Sequence, residues 1–442
     1  MITLRLGVAD RGRIPKSAEA FFGELHESKM REKSCPGGRK FRDEKNDLWR
    51  DFTANGGSEV AALQEKLAAS GFLPHGGASG VFDYRTQSAV RLFQEYVRSV
   101  EEPKYVIGTP DALAGNRTKE HLDRWQSDGR QVSWKGAPGA DTPWFRLLNA
   151  FRDRTAANPG PLHQVVMKRW KGTEQPDTLP VSEWDFSKKH IHLIGIRRGA
   201  KEDWKNRLNN DVFVLLAGGG VFTFFGSTDP NPNTSTPPFL LPGQHLYRFG
   251  WHKLTRKRLP KSGLGPWKMY RAFRPKSAGV LVMRDSENRR SKVNLKDERV
   301  LAAAVDKNLN TTINIHWSGR HTSNWSAGCQ VISGGGYINH RNKLVDCWDH
   351  AAASYVNLPQ KTRGAYNVLL DLITVLSPRP TVTDGDTLRY TLINERDLDL
   401  EPSLGSDFVV NALRRGLDIL KNHGHSNYRK YLTQIEANSA NP

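Results

Sequence analysis

Thr312-Ile-Asn-Ile-His316-Trp-Ser-Gly-Arg320-His-Thr-Ser-Asn-Trp-Ser326-Ala-Gly-Cys329-Gln330-Val-Ile332 holds the densest chemistry of the chain. Apolar and polar residues alternate into His316, which predicts a strand, and the Gly, Ser and Asn that follow predict a loop. A returning strand then opens at Cys329. Facing side chains of an antiparallel pair have Cβ atoms about 5 Å apart, so such a return brings a thiol and an imidazole within reach. A thiol with a pKa near ~8.5 is mostly protonated at neutral pH, and a paired imidazole makes it a thiolate nucleophile. Gly328 removes a Cβ where a substrate approaches the backbone. Main-chain N–H groups around Cys329 are candidates for an oxyanion hole. Taken alone, the same residues also fit a buried free Cys beside an unrelated His.

Other chemistry is thinner. His190 and His192 stand two apart on an expected strand, a way to present two zinc ligands, with His245, His252, His321 or Cys329 as a third. No H-E-x-x-H or paired Cys-x-x-Cys accompanies them, so neither metal nor organic cofactor is expected. Cys347-x-x-His350, with His340 before it, is a weaker version of the same idea and reads as helix-surface residues. Cys35, Cys329 and Cys347 are the three cysteines, odd in number and too few for a disulfide framework.

The elements that must position these residues fall into blocks. Residues 1–55 are polar and charged and read as an N-terminal arm or adaptor. Residues 129–185, rich in Gly, Pro, Trp and Lys without steady periodicity, read as a linker or a first irregular layer. From 186 the pattern turns to strands, at 190–196, 212–216, 221–225, 279–283 and 312–316, with turns such as Asp229-Pro-Asn-Pro between them. After Pro378 a strand at 388–393 and a helix near 407–422, with Val410, Leu413, Leu417 and Leu420 on one face, form a C-terminal extension over 377–442.

Between arm and linker the period becomes helical. Val60, Leu63 and Leu67 share a face that Gly71 ends, and Asp83 and Thr86 open a second helix whose face holds Ala89, Val90, Phe93 and Val97. The order Val60-x-x-Leu63-Gln64-x-x-Leu67-x-x-x-Gly71, then Gly80-Val-Phe82-Asp83-x-x-Thr86-x-x-Ala-Val-x-x-Phe93-Gln94, resembles the three-helix peptidoglycan-binding domain of many wall-lytic enzymes. The resemblance implies a wall-binding module over 56–128, carried by Leu63, Gln64, Phe82, Asp83, Thr86 and Phe93. Asp111-x-x-x-Gly115-x-x-Thr118-x-x-x-Leu122-x-x-Trp125 echoes the same turn and helix, as if to enlarge the domain.

His316, a polar loop, then Ser326-x-Gly328-Cys329 with Ile332 shortly after, resembles the catalytic signature of L,D-transpeptidases, most closely a phage and prophage wall-lytic group related to them. Gly195-Ile-Arg197, Ser227-Thr-Asp-Pro230 and Leu241-Pro-Gly243 … Phe249-Gly-Trp-His252 are similar to that group too, so the resemblance spans roughly 190–335. It implies a multidomain α+β chain: a small helical peptidoglycan-binding domain, a β-rich L,D-transpeptidase-like catalytic domain over 186–376, and a helical C-terminal tail. It implies Cys329 as nucleophile, His316 as base oriented by the main chain after it, and Ser326 and Gly328 as shapers of the loop. Arg320 either pairs with a stem-peptide carboxylate or is a solvated loop cation. Gln330 either donates to the substrate carbonyl or closes a strand edge. Most members carry a second His two residues before the Cys, where this chain has Ala327. That departure favours cleavage of stem-peptide or cross-link peptide bonds over cross-link formation or exchange.

Charge bounds the partners. Lys and Arg number 65 against 46 Asp and Glu, a net charge of +19, which implies an anionic partner: nucleic acid, a membrane surface, or a wall with its phosphate polymers. No RNP, helix-turn-helix or zinc-finger pattern appears, so nucleic acid is set aside. Val212–Phe225, the longest apolar stretch, is 14 residues with three glycines and too short to span a bilayer. The first residues show no basic segment followed by an apolar run, so no Sec signal is expected. The expectation is synthesis in the cytoplasm and action on peptidoglycan at the wall or periplasm after release, or from a phage virion or injection apparatus. A non-catalytic spike or tail component that grips anionic wall polymers is the competing class.

Overall fold

The computed structural model describes residues 58–101, 107–198, 209–231, 236–259, 263–284, 298–320, 323–348, 362–378, 388–405 and 407–439, with short pieces at 3–5, 8–10, 13 and 234. Cys35, His321 and His350 lie outside the described residues, as does nearly all of the expected arm. The chain divides into two compact units, one of residues 1–133, 249–272 and 349–387, the other of 134–248, 273–348 and 388–442.

The first unit is helical. Its helices include α1 (Glu59–Ala69), α2 (Tyr84–Val100) and α3 (Asn116–Ser127). Asp83 caps α2 by accepting the Thr86 N–H at 2.8 Å. α1 borrows its cap from the arm: the Asp10 carboxylate accepts the Val60 and Ala61 N–H groups, both at 2.9 Å. Leu4 bridges to Ala114 and Ala9 to Val81, so residues 3–5 and 8–10 belong to this module. Phe72, Phe93, Tyr96 and Trp125 meet largely edge to face, ring centroids 5.3–5.7 Å apart, in one core.

Two glutamines show that the echo at 111–125 is a structural repeat. Gln64 donates to Ser79 Oγ, the Val81 carbonyl and Thr86 Oγ1, and accepts the Gly80 N–H. Gln94 donates to Asp111 Oδ1, the Leu113 carbonyl and Thr118 Oγ1, and accepts the Asp111 and Ala112 N–H groups. Each buried amide thus clamps the turn before the next helix.

The second unit holds most of a closed β-barrel with helices outside; residues 249–259 of its fifth strand and 263–272 of its sixth are counted with the first unit. The helices α4 (Thr142–Ala157) and α5 (Pro161–Trp170) come from the segment expected to be a linker. Then follow β1 (His192–Arg197), β2 (Asp211–Ala217), β3 (Gly220–Ser227), β4 (Phe239–Leu240), β5 (Gly243–Leu259), β6 (Gly263–Pro275), β7 (Val282–Met283), the short α6 (Glu298–Ala303), β8 (Ile315–Trp317), β9 (Gln330–Ile338) and β10 (Leu344–Asp346). Next come α7 (Ala365–Leu376), which belongs to the first unit, then β11 (Leu388–Asn394), α8 (Phe408–Asn422) and α9 (Tyr428–Ser439). The sheet order is β10-β9-β3-β2-β1-β11-β5-β6-β8, and β8 also pairs with β9, which closes the ring. β4 and β7 form a separate small pair.

β11 sits in the middle of this sheet, parallel to β1 and antiparallel to β5. The strand expected in a C-terminal extension is therefore integral to the barrel. β1, β2 and β11 read as near-continuous apolar runs because both faces are covered. Outward Ile194, Ile196, Val212, Val214, Leu216, Phe225, Ile338 and Ile393 pack with Trp144, Leu147 and Phe151 of α4, Val409, Leu413 and Leu417 of α8, and Tyr431 of α9. Gly416 makes that docking close, since a Cβ there would stand 2.9 Å from the Phe225 ring.

Candidate active site

β8 and β9 run parallel, Ile315 level with Gln330 and His316 with Val331, and the ladder continues as the Gln330 N–H donates to the Asn314 carbonyl at 2.9 Å. The expected antiparallel return is thus corrected. Parallel neighbours need a crossover of a dozen residues or so, which residues 318–329 supply. In this register Cys329 lies level with Asn314. Alternation then puts Asn314, His316, Cys329 and Val331 on one face and Gln330 on the other. His316 and Cys329 are diagonal neighbours, roughly 7–8 Å apart along the sheet and within reach of their side chains.

The imidazole is oriented by main chain. His316 Nδ1 lies 2.9 Å from the Trp317 carbonyl, which can only accept, so the proton sits on Nδ1 and Nε2 is the basic nitrogen. The thiol is held from its other side. Cys329 Sγ donates to the Thr312 carbonyl at 3.3 Å and accepts the Asn314 N–H at 3.4 Å. Burial pushes the thiol pKa up, while the Asn314 N–H, the Ser326 hydroxyl and the Arg274 charge pull it back. Phe273 of β6 pairs with Ile315, so Arg274 comes level with Asn314. The Gly328 N–H is taken by Ser326 Oγ at 3.3 Å and that of Gln330 by Asn314, whereas the Cys329 N–H makes no hydrogen bond among the described residues.

The loop before Cys329 hangs on the segment after β3. Asn231 N–H donates to the Ser326 carbonyl at 2.6 Å and Asn231 Nδ2 to that of Asn324 at 2.6 Å, while Asn324 Nδ2 donates to the Asp229 carbonyl at 2.5 Å. Asp229 pairs with buried Arg197 at 3.2 Å. The Gly195–Arg197 and Ser227–Pro230 motifs therefore act as scaffold for the thiol loop. Trp325 at its tip is 79 % exposed.

Three expected roles change. Gly328 makes room for the protein and not for substrate: a Cβ there would stand 2.6 Å from Pro238 Cγ and 2.8 Å from its carbonyl oxygen. Gln330 is fully buried, accepts the Tyr390 hydroxyl at 2.8 Å and donates to the Thr228 carbonyl at 3.2 Å, which fixes it in the barrel interior. Arg320 is not beside the thiol. It follows Gly319, bent by a φ of 92°, and its guanidinium lies over the Trp348 ring, 5.8 Å from the centroid. The Ser326 hydroxyl reaches the Cys329 thiol, and sequence reasoning missed Arg274 and the Thr312 carbonyl. Thr312 and Asn314 lay inside the motif, read only as strand; Arg274 is distant in sequence and carried no local signal.

The histidines weighed as metal ligands are engaged with protein groups. His190 Nε2 meets Asp185 Oδ2 and His192 Nε2 the Ser187 carbonyl, both at 2.9 Å, and His245 lies between Thr178 Oγ1 and the Leu241 carbonyl. His190 lies before β1, which begins at His192, so the two do not share a strand. Burial lowers the His192 pKa to about 4. Among the described residues no cluster of three or more His, Cys, Asp or Glu is placed to hold a metal, and no helix is long and apolar enough to cross a membrane.

Residues 56–98 match the family model of a putative peptidoglycan binding domain. The chain carries a peptidoglycan-binding domain there. Comparison with curated proteins and with solved structures finds no match. In the peptidoglycan-binding domain Leu63, Phe82 and Phe93 are core, Gln64 clamps the turn, and Asp83 and Thr86 cap α2. These six residues, expected to carry wall binding, help build the domain.

Proposed function

We propose that the β-barrel unit is a cysteine enzyme of L,D-transpeptidase type that cleaves stem-peptide or cross-link peptide bonds of peptidoglycan, concentrated on its substrate by the peptidoglycan-binding domain. The observation that carries this reading is the His316–Cys329 face: a tautomer fixed by the Trp317 carbonyl, a thiol diagonal to it, and an uncommitted Cys329 N–H. His316 Nε2 takes the thiol proton and the thiolate attacks the peptide carbonyl, whose oxygen the Cys329 N–H stabilises. The imidazolium returns the proton to the leaving amine. Water, deprotonated by His316, then opens the thioester and regenerates the thiol. The resting thiol, donating to Thr312 with its pKa raised, is ionised only once substrate displaces that contact. Arg274 supplies positive charge for the thiolate. Ala327, where relatives carry a second histidine, supports water as acceptor over a second stem amine. The protein acts at the bacterial wall after release or injection, and its net charge of +19 favours encounter with anionic wall polymers.

The test is incubation of isolated sacculi with the protein and with Cys329→Ala, followed by mass analysis of released muropeptides. Shortened or uncrosslinked peptides from wild type alone support the reading, and new cross-links point to the transpeptidase. Binding by both proteins with no mass changed leaves a wall-gripping structural component.

A further inference from the structure

Arg320 leads to a cleft that the thiol chemistry does not use. The cleft, open to solvent, lies between β3, β9, α8 and α9. Its walls are apolar, with Phe225, Leu413, Leu417 and Tyr431 among them. Two polar side chains are among its lining residues. The half-buried Arg320 guanidinium has no carboxylate partner among the described residues, although it stacks on Trp348. Asn210 is 5 % exposed and its Oδ1, fully shielded from water, accepts no hydrogen bond among the described residues.

Each unpaired group names one feature of a ligand. The planar guanidinium fits a carboxylate, in bidentate fashion. A buried carboxamide oxygen left without a donor costs free energy, so it calls for an N–H. The leucines and aromatics between them call for an aliphatic side chain. Carboxylate, amide N–H and small aliphatic side chain on neighbouring atoms are the last residue of a peptide chain. We propose that this cleft binds the free carboxyl end of a short peptide with an aliphatic final residue, the carboxylate on Arg320 and the amide N–H on Asn210 Oδ1. That the natural source is a wall stem peptide rests on the function proposed above; the site itself does not.

Full-length Cys329→Ala protein, which cannot turn over substrate, is titrated by calorimetry with acetyl-D-Ala-D-Ala and with its C-terminal amide. The acid binds, the amide binds roughly tenfold or more weakly, and Arg320→Gln weakens the acid by a similar factor. Leu417→Trp, which fills the cleft while keeping Arg320, also abolishes binding of the acid. Equal binding of acid and amide, no binding of the acid, or binding indifferent to both substitutions overturns the proposal. If binding fails while wild-type protein still releases muropeptides, the cleft alone is wrong. If binding holds while no muropeptide is released, the thiol reading falls and the cleft stands.

Discussion

Gly328→Ala probes how tightly the thiol is positioned. A Cβ at residue 328 meets Pro238 Cγ at 2.6 Å, its carbonyl oxygen at 2.8 Å and Cδ at 3.0 Å. Carbon atoms in good contact stand about 3.5–4.0 Å apart, so the methyl group asks for a shift of roughly 1 Å. Pro238 cannot yield cheaply, because part of the clash is with backbone and its ring fixes φ. The thiol loop cannot yield cheaply either, because Asn231 and Asn324 hold it by three short hydrogen bonds. Overpacking of this kind costs about 1–3 kcal/mol. A displacement of about 1 Å at a reacting group lowers turnover by about 100-fold. The assay reads both effects: urea unfolding gives the stability loss, and peptide mapping after timed iodoacetamide treatment gives the alkylation rate at Cys329 alone, with buried Cys347 as internal control. Unchanged stability together with an unchanged Cys329 rate refutes the packing argument. Loss of stability with the wild-type rate refutes the claim that Gly328 positions the thiol.

Other outcomes follow from the same contacts. Because burial raises the Cys329 pKa, alkylation climbs with pH through a midpoint above that of a free thiol, and Arg274→Gln moves the midpoint higher still. A full rate at pH 6 contradicts this. Gln64→Leu strands the Gly80 N–H and leaves Thr86 Oγ1 with only its bond to Asp83, and destabilises the helical unit by about 1–3 kcal/mol, read as an earlier urea transition and reduced retention on sacculi. Gln330→Leu lowers stability by about 1–3 kcal/mol through the loss of its Tyr390 and Thr228 partners; a changed KM at unchanged stability shows substrate contact instead.

The helical module was legible because its signals are local: Val60, Leu63 and Leu67 recur at helical spacing, Gly71 ends α1 with a φ of 79°, and Asp83 caps α2. The strands at 212–216 and 221–225 were legible for the same reason, being unbroken β-branched and aromatic runs. What is not local was lost. Nothing in Leu388–Asn394 says that it inserts between β1 and β5, because strand order is decided by which edges remain when the barrel closes. The pairing sense of β8 and β9 was misread because three residues of strand carry no direction. At the site, residue types suggested Cys329 and His316, yet only coordinates separate a Gly328 that admits Pro238 from one that admits substrate. Trp144, Leu147, Leu148 and Phe151 hid in a segment whose Gly and Pro content masked its helices.

The central claim is covalent: the Cys329 thiolate attacks a wall-peptide carbonyl. Wild-type protein is mixed with soluble muropeptides, quenched in acid within the first turnovers, and examined by intact mass and peptide mapping. The account predicts a protein adduct equal in mass to the acyl part of the muropeptide, located on the Cys329 peptide and absent from Cys329→Ala. It also predicts that the adduct accumulates in His316→Ala only as slowly as attack by an unassisted thiol allows. Muropeptide cleavage that persists in Cys329→Ala, or product formed by wild type with no adduct at any quench time, contradicts it.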